Sequence, residues 1–479
     1  MANLNLGKFS DKVYGCWLGK NIGGTLGTPW EGRRELLDLK GFRSPPGKPL
    51  ANDDLDLQLV WLKALEDRGP LGINENVLGE YWINYIPPHW NEYGIGKSNM
   101  KAGILPPLSG DYENAWRDSN GAWIRSEIWA CCAPGCPDLA AKYAWYDACV
   151  DHGTGEGTYA ELFTASLESA AFVLSDRRKL IEIGLSHIPE GCRVAGSIKI
   201  VLDGYSHGLD WKKVRQAVLD DSKDLGWFQA PANLAFVIIG WLYGEGNFKK
   251  SLLTAAGCGD DTDCTAATLG SILGIIGGEK GIPADWRKYV GDDIVSVAID
   301  RGSCSVPRSC TELTCHVIRT ASQVLAANGA PVSLSDSPDD FSGLDFKSLT
   351  ASAGYRKELS QKDSSLRFNF IHTEVSLLYR NGISVRPGGE AKLTVTLRNL
   401  LPDPRHLDIS YFLPEGFTLL EGKKHVSLLH STGKTSSRCS FPVTIKAGEN
   451  IRPENRGVIQ MVASGRPTVI LVPLLWFGA

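Results

Sequence analysis

From the amino terminus to about residue 330, apolar positions recur at helical spacing and strand signals are scarce. Leu55, Leu59, Leu62 and Leu65 form one stripe, widened by Val60 and Trp61, which predicts an amphipathic helix. Tyr159 to Leu174 alternates small and large apolar residues at the same period. Ala266, Gly270 and Gly274 recur every four residues, so another backbone can approach that face closely. The run is short and ends in Gly277-Gly278-Glu279-Lys280, which fits tight packing in a core better than association in a membrane. Between Pro87 and Pro137, Gly, Pro, Asn and Trp are frequent, which predicts long ordered loops. Residues 333–366, dominated by Ser, Asp, Lys and Pro, read as a linker. Beyond them the period switches to two. Ala391, Leu393, Val395 and Leu397 alternate with Lys392, Thr394, Thr396 and Arg398, as in a half-buried strand. Turn signals follow at Asn381-Gly382, Pro387-Gly388-Gly389, Pro414-Glu415-Gly416 and Ser464-Gly465-Arg466-Pro467. The chain therefore reads as multidomain: an all-α domain over 1–332, the linker over 333–366, and an all-β sandwich of immunoglobulin or fibronectin type over 367–479.

Composition narrows the classes. The chain has 479 residues, 43% hydrophobic and 22% charged, as in soluble globular proteins. A net charge of -4 supplies no basic field for nucleic acid and no attraction to an anionic membrane. The first residues lack the apolar run of a secretory signal, and no stretch is long and apolar enough to span a bilayer. The expected location is cytoplasmic, with the twelve cysteines as reduced thiols. Cys131, Cys132 and Cys136 form the tight group, but no second Cys or His pair stands at zinc-site spacing.

Two acidic clusters stand apart from these patterns: Asn52-Asp53-Asp54-Leu55-Asp56 and Gly259-Asp260-Asp261-Thr262-Asp263-Cys264. Each precedes an apolar, small-residue segment that reads as a helix. Each therefore places several carboxylates at a helix N-terminus, where the macrodipole favours negative charge. Crowded carboxylates repel one another and are costly to bury unpaired. A hard divalent cation bound by carboxylate oxygens removes that conflict. Simple N-capping by Asp accounts for one such cluster; two of this density favour a shared metal site.

Four stretches carry a resemblance. Gly15 to Glu31 places Gly23, Gly27, Pro29 and Glu31 in the pattern Gly-x-x-x-Gly-x-Pro-x-Glu. Asn52-Asp53-Asp54 follows, then His152-Gly153-Thr154-Gly155-Glu156-Gly157, then Gly259 to Cys264. In this order they resemble the ADP-ribosylglycohydrolases of the dinitrogenase-reductase-activating glycohydrolase type. That family's corresponding stretches are an opening helix and loop, Thr/Ser-Asp-Asp, a His-containing loop, and Gly-Gly-Asp-x-Asp-Thr. The last is the most specific, and the resemblance covers about Tyr14 to Gly278. It implies an all-α ADP-ribosylglycohydrolase-like domain, to which the sandwich is an addition, and hydrolysis of glycosyl bonds. It also implies Asp53, Asp54, Asp261 and Asp263 as ligands of two divalent ions, Mg²⁺ or Mn²⁺. Two positions depart from the family. Asn52 replaces a hydroxyl residue, although its carbonyl oxygen can coordinate. Cys264 replaces a Thr whose hydroxyl is a ligand, and sulfur is a poor partner for magnesium. One ion is then held more weakly, supported by Asp260 or Thr265, or manganese is preferred.

Glycosidic cleavage passes through an oxocarbenium-like transition state. Divalent ions grip a sugar diol and position or acidify water, while a carboxylate outside the metal shell handles protons. The family position points to Glu31 for that role, with Asp56 and Glu156 behind it; on residues alone Glu31 is equally a solvated carboxylate after a turn. His152 either contacts substrate or is a hydrogen-bonded core residue. Trp30, Trp90, Tyr93, Trp116 and Trp123 either stack on a sugar or base, or cover core beneath long loops. No basic cluster stands out to hold a pyrophosphate, although Arg125 and Lys97 are available. The expected activity is thus binuclear-metal-dependent hydrolysis of a ribofuranosyl or related pentofuranosyl bond, on a small glycoside or an ADP-ribosylated substrate. The rival is a catalytically degenerate ADP-ribose- or sugar-binding protein, for which Cys264 speaks and the retained aspartates do not. A third reading is purely structural, with capped helices and no metal. The sandwich serves docking, lid support or homodimerisation in these readings, and carries no function by itself.

Overall fold

Glycines spaced by four residues set the central helix pair of the computed structural model, which describes residues 1–432 and 436–479. The helices that frame the site are α1 (Leu6–Gly27), α2 (Asp53–Arg68), α3 (Asn91–Lys101), α4 (Glu156–Ala171), α5 (Arg193–Ser206) and α6 (Thr262–Gly277). Along α1, a Cβ on Gly15, Gly19, Gly23 or Gly27 would lie 2.6, 2.1, 2.2 or 2.3 Å from the backbone oxygen of Gly274, Gly270, Ala266 or Thr262. The register is antiparallel, and the backbones touch because no side chain separates them. The close-approach face predicted at Ala266, Gly270 and Gly274 is thus real, and its partner is a matching glycine row on α1.

Helix α2 forms where the leucine stripe predicts it. Asn52 caps it, accepting from the Asp54 amide at 2.8 Å, and Asp53, Asp54 and Asp56 occupy its first turn. Leu57, Val60 and Trp61 are buried along with the stripe, so the helix is enclosed rather than amphipathic at a surface. Helix α4 covers most of the predicted 159–174 segment. Between Pro87 and Pro137 the structure has short helices, α3 and Glu127–Cys132 among them, in place of continuous loops. The reason is that Gly94 and Gly96 serve packing rather than turns. A Cβ there would meet the His89 carbonyl oxygen at 2.6 Å and the Asp151 Cβ at 2.9 Å.

The described residues cluster into two units, Met1–Ala102 with Ser109–Gln361, and Gly103–Leu108 with Lys362–Ala479. The first unit extends beyond the expected boundary at 332. Strand β1 (Ala2–Asn5) pairs in parallel with β2 (Val332–Ser335) in register Ala2↔Val332. Two short helices follow, Phe346–Leu349 with a capping box from Asp345 and Ser348, and Ala353–Leu359. Most of the segment expected as a linker is therefore folded structure of the first unit. Among the described residues no helix is long and apolar enough to cross a membrane.

The second unit is mostly antiparallel β-sheet. Its strands are β3 (Leu366–Asn369), β4 (Thr373–Tyr379), β5 (Ser384–Val385), β6 (Glu390–Asn399), β7 (Arg405–Phe412), β8 (Thr418–Glu421), β9 (His425–Leu428), β10 (Arg438–Lys446), β11 (Glu454–Ala463) and β12 (Val469–Gly478). They form two five-stranded sheets, ordered β3-β4-β6-β10-β8 and β5-β12-β11-β7-β9. On β6 the predicted inward set Ala391, Leu393, Val395 and Leu397 is buried, and Val395 pairs with Leu377 and Phe441. Trp476 is fully buried and stacks on Phe417 at 5.7 Å. The predicted turn at Asn381-Gly382 forms with Gly382 at φ 80.

Candidate active site

The α1–α6 seam ends where Thr262 Oγ1 donates to the Gly27 carbonyl at 2.9 Å. It brings the exit of α1, followed by Glu31 with its carboxyl turned towards the acids, beside the start of α6, which carries Asp261, Asp263 and Cys264. Carboxylate oxygens of Glu31, Asp261 and Asp263 lie within 4.8 Å of one another. Ligand-capable atoms of Asp54, Asp263 and Cys264 do the same, so Asp263 belongs to both groups. Asp54 Oδ2, Asp261 Oδ1 and Asp263 Oδ1 are buried without a hydrogen-bond donor. Lys20 Nζ lies 3.5 Å from Asp54 Oδ2 but sits closer, at 2.6 Å, to Glu127 Oε1.

Burial and mutual repulsion raise the acids. Glu31 is pushed to about 7 by burial, then by Asp261 and Asp53. Asp261 is pushed to about 6, chiefly by burial. Asp54 and Asp263 lie well above the usual range for the same leading reason. Bare oxygens, excess negative charge and one shared carboxylate fit a hard divalent cation.

Neighbouring side chains aim these acids. Tyr93 Oη donates to Asp53 Oδ2 at 2.8 Å, and Asn120 Nδ2 donates to Asp261 Oδ2 at 2.7 Å. The Asp261 amide donates to Asn233 Oδ1 at 3.2 Å. Beneath the site, Gln58 Nε2 donates to Glu127 Oε2 and to the Asp54 carbonyl, both at 2.9 Å. Above the acids opens a cavity of about 420 Å³ whose walls include Trp90, Glu92, Tyr93, Ser119, Asn120 and Phe228. That volume suits a small ligand.

The structure distributes the residues expected from sequence unevenly. Glu31, Asp53, Asp261, Asp263 and Cys264 line the cavity, and Asp54 lies behind them; Trp90 and Tyr93 line it too. Others are placed elsewhere. Asn52 Oδ1 caps α2, and its side chain fills the space left by Gly24, where a Cβ would lie 1.9 Å from its Nδ2. Cys264 Sγ lies among the acids, 3.5 Å from Asp54 Oδ1, in position to donate to it. Asp56 Oδ2 accepts from the Val297 and Ala298 amides at 2.6 and 2.7 Å, which ties down that loop and takes it out of the proton role. Glu156 accepts from the Arg193 and Val194 amides at 2.8 and 2.9 Å, so it caps α5. Glu156→Ala is accordingly expected to lower stability by about 1 kcal/mol while kcat per folded molecule is unchanged; thermal melts and assays on the same preparation check this.

His152 is fully buried and reaches the cavity through Ser119 rather than directly. Trp30 is packed under the Arg43 guanidinium, 3.5 Å from its ring centroid. Trp116 is half-buried outside the cavity lining. Trp123 is core, and its Nε1 donates to Asn120 Oδ1 at 3.1 Å, so it supports the residue that holds Asp261. Arg125 is buried between Asp147 and Asp151, and Lys97 is bound to the carbonyls of Ile86 and Pro88, which removes both as pyrophosphate partners. Asp260 Oδ1 accepts from the Phe228 amide, and Thr265 Oγ1 donates to the Thr262 carbonyl. Asn120, Ser119 and Glu92 were not expected. The polar run Asp118-Ser119-Asn120-Gly121 among aromatic residues was the available signal for the first two.

Residues 6–309, which contain every acid of this site, match the family described as ADP-ribosylglycohydrolase. The chain belongs to the ADP-ribosylglycohydrolase family. Members of that family hydrolyse glycosyl bonds of ADP-ribosylated substrates and typically depend on metal, and some members are not catalytic. Among solved structures, an ADP-ribosylglycohydrolase-related protein complex is 19% identical, with 66% of this chain and 99% of that chain covered at a TM-score of 0.45. A FixG-related protein from Vibrio parahaemolyticus is 8% identical over 23% of this chain and 98% of its own, at a TM-score of 0.19. The GAE domain of GGA2p from Saccharomyces cerevisiae is 12% identical over 24% of this chain and 96% of its own, at a TM-score of 0.17. Among curated proteins, none matches the chain.

Proposed function

We propose that this ADP-ribosylglycohydrolase-family chain is a divalent-metal-dependent glycoside hydrolase that cleaves a ribofuranosyl or related pentofuranosyl bond. The observation that supports it is the convergence of Asp53, Asp54, Asp261 and Asp263 from two distant helix starts, with buried oxygens that lack donors. In this reading those four would hold two Mg²⁺ or Mn²⁺ ions. Such ions, when bound, orient a sugar diol and make a nearby water more acidic. Tyr93 and Asn120 keep the Asp53 and Asp261 carboxylates aimed, so little reorganisation accompanies the reaction. Glu31, at the cavity mouth beside the acid cluster, takes the proton of the attacking water. Trp90, 45% exposed at the rim, offers a face for the sugar or its leaving group.

Among the described residues the cavity lining includes no Lys or Arg, and its one imidazole, His89, is held below the usual range by burial and by Lys97 and Lys101. A pyrophosphate would find no cationic side chain there, which favours a small pentofuranoside over a full ADP-ribosyl group. The test is an assay on aryl pentofuranosides and on ADP-ribosyl substrates with Mg²⁺, with Mn²⁺ and with a chelator. Turnover with metal, loss with chelator, and preference for the pentofuranoside are expected. Metal-dependent binding without turnover would make the chain a degenerate sugar-binding protein instead, and protein that neither binds added Mg²⁺ or Mn²⁺ nor is stabilised by them would refute the site.

A further inference from the structure

A second carboxyl group stands in the cavity wall outside the acid cluster. Glu92, in the first turn of α3, is 5% exposed and lines the cavity. Its Oε2 is buried and has no hydrogen-bond partner. Its Oε1 lies against Gly121, where a Cβ would come within 2.2 Å. Glycine at that position leaves room for the carboxyl as it is seated.

A fully buried chain of side chains holds this carboxyl from behind. Ser119 shares the cavity wall with it and favours its charged form. Ser119 Oγ lies 3.3 Å from His152 Nε2, and His152 Nδ1 lies 2.8 Å from Asp151 Oδ1. Asp151 in turn accepts from Arg125 Nη2 at 2.8 Å, and the arginine holds its carboxyl at about 2, although burial acts in the other direction. This line fixes the position of Glu92 without neutralising its free oxygen. An ionised carboxylate with a bare buried oxygen is costly, whereas a carboxylic acid is not. Among the described residues, the side-chain groupings able to hold a metal do not include Glu92. A neutral acid facing a sugar-sized cavity is equipped to give up a proton there.

We propose that Glu92 is the general acid of the hydrolysis, donating its carboxyl proton to the oxygen of the leaving group. The inference rests on the reading of the chain as a pentofuranoside hydrolase. The bond between the anomeric carbon and the leaving oxygen breaks, its electron pair stays on that oxygen, and the Glu92 proton joins it. A water oxygen bonds to the anomeric carbon and its proton passes to Glu31. One water is consumed, and the proton returns from Glu31 to Glu92 through solvent when the products leave. His152 and Asp151 are positioning residues in this scheme. Burial raises Glu92 to about 7, with His152 and Asp151 the titratable neighbours that bear on it, so the acid form is present at neutral pH.

The test compares the wild type with Glu92→Gln on methyl and dinitrophenyl ribofuranosides in Mg²⁺. Methoxide leaves only with a proton, whereas dinitrophenolate leaves without one. The expected result is a fall in kcat/KM on the order of a thousandfold for the methyl glycoside and within about tenfold for the dinitrophenyl one. The basic limb of the methyl-glycoside pH profile should disappear with it. Glu31→Gln should slow both substrates alike. Glu92→Asp, which keeps the acid but retracts it, should share the selective loss and serves if the glutamine variant fails to fold. Equal losses on the two substrates, a change in KM alone, or no loss would overturn the acid role. A wild type that turns over neither glycoside would sink the hydrolase reading itself, and this inference with it.

Discussion

Asp261→Asn is expected to remove turnover by on the order of a thousandfold or more, while the fold persists. Asparagine has nearly the same volume and keeps one oxygen for the Asn120 amide, so the packing around it is preserved. What it lacks is charge. Asp261 belongs to the oxygen triplet with Glu31 and Asp263, and its Oδ1 has no donor in the protein. Metal and proton should therefore report in opposite directions. Asp261 titrates at about 6 in the folded chain against an ordinary 3.8. Between those values the folded chain holds a proton that the unfolded chain has released. Without metal, stability consequently falls as pH rises from about 4 to about 6 and is level above that, as far as this group is concerned. Asp54 and Asp263, also raised by burial, add to the fall. Asparagine has no proton to lose, so the metal-free variant should show a shallower slope and melt no lower than the wild type at pH 7. Added Mn²⁺ at a hundred times its dissociation constant should stabilise the wild type by about 2.7 kcal/mol and the variant far less. Melting curves at pH 5 and 7, with and without metal, check both signs. A variant that keeps wild-type turnover and metal response would remove Asp261 from the site.

What the sequence discloses depends on whether a residue's role is local. The acid clusters are legible because their charge stands beside helix signals a few residues away. The sandwich is legible because β6 alternates at period two within one strand. Roles set by distant partners are not. Glu156 and Asp56 have the residue type of catalytic carboxylates, but the amides they hold come from Arg193 and Val194, and from Val297 and Ala298. Nothing adjacent to either acid announces this. The aromatic residues divide the same way: Trp90 and Trp123 occur in similar loop-rich sequence, and only the fold puts one at the rim and the other in the core. The 333–361 stretch looks like a linker because its elements are short and polar. Its anchor is β1, at the other end of the first unit, where Ala2 pairs with Val332. Glu92 carried no signal at all, because its significance is burial, and burial of a single Glu cannot be read from its neighbours.

The glycine seam is half legible in the same sense, and it yields the second large effect. One row, Ala266, Gly270 and Gly274, invites a close partner; the matching row Gly15, Gly19, Gly23 and Gly27 gains its meaning only from the antiparallel register. Gly19→Ala and Gly270→Ala should each destabilise the first unit by about 3 kcal/mol, the upper end for an inserted methyl group. The new Cβ atoms would lie 2.1 and 2.2 Å from the facing backbone oxygens, so no flexible side chain can yield and the helices must separate. Separation also moves Asp261 and Asp263 away from Glu31, since the seam runs up to Gly27 and Thr262. Misplacing reacting groups by about 1 Å costs around a hundredfold in rate, so activity and metal-induced stabilisation should drop together. Gly196→Ala on α5 is the control. Its Cβ would meet nothing within 4 Å, and it should stabilise by about 0.5–1 kcal/mol. Urea unfolding of the full chain separates the cases. If Gly19→Ala unfolded at the wild-type urea concentration, backbone contact between α1 and α6 would not be what assembles the acid site.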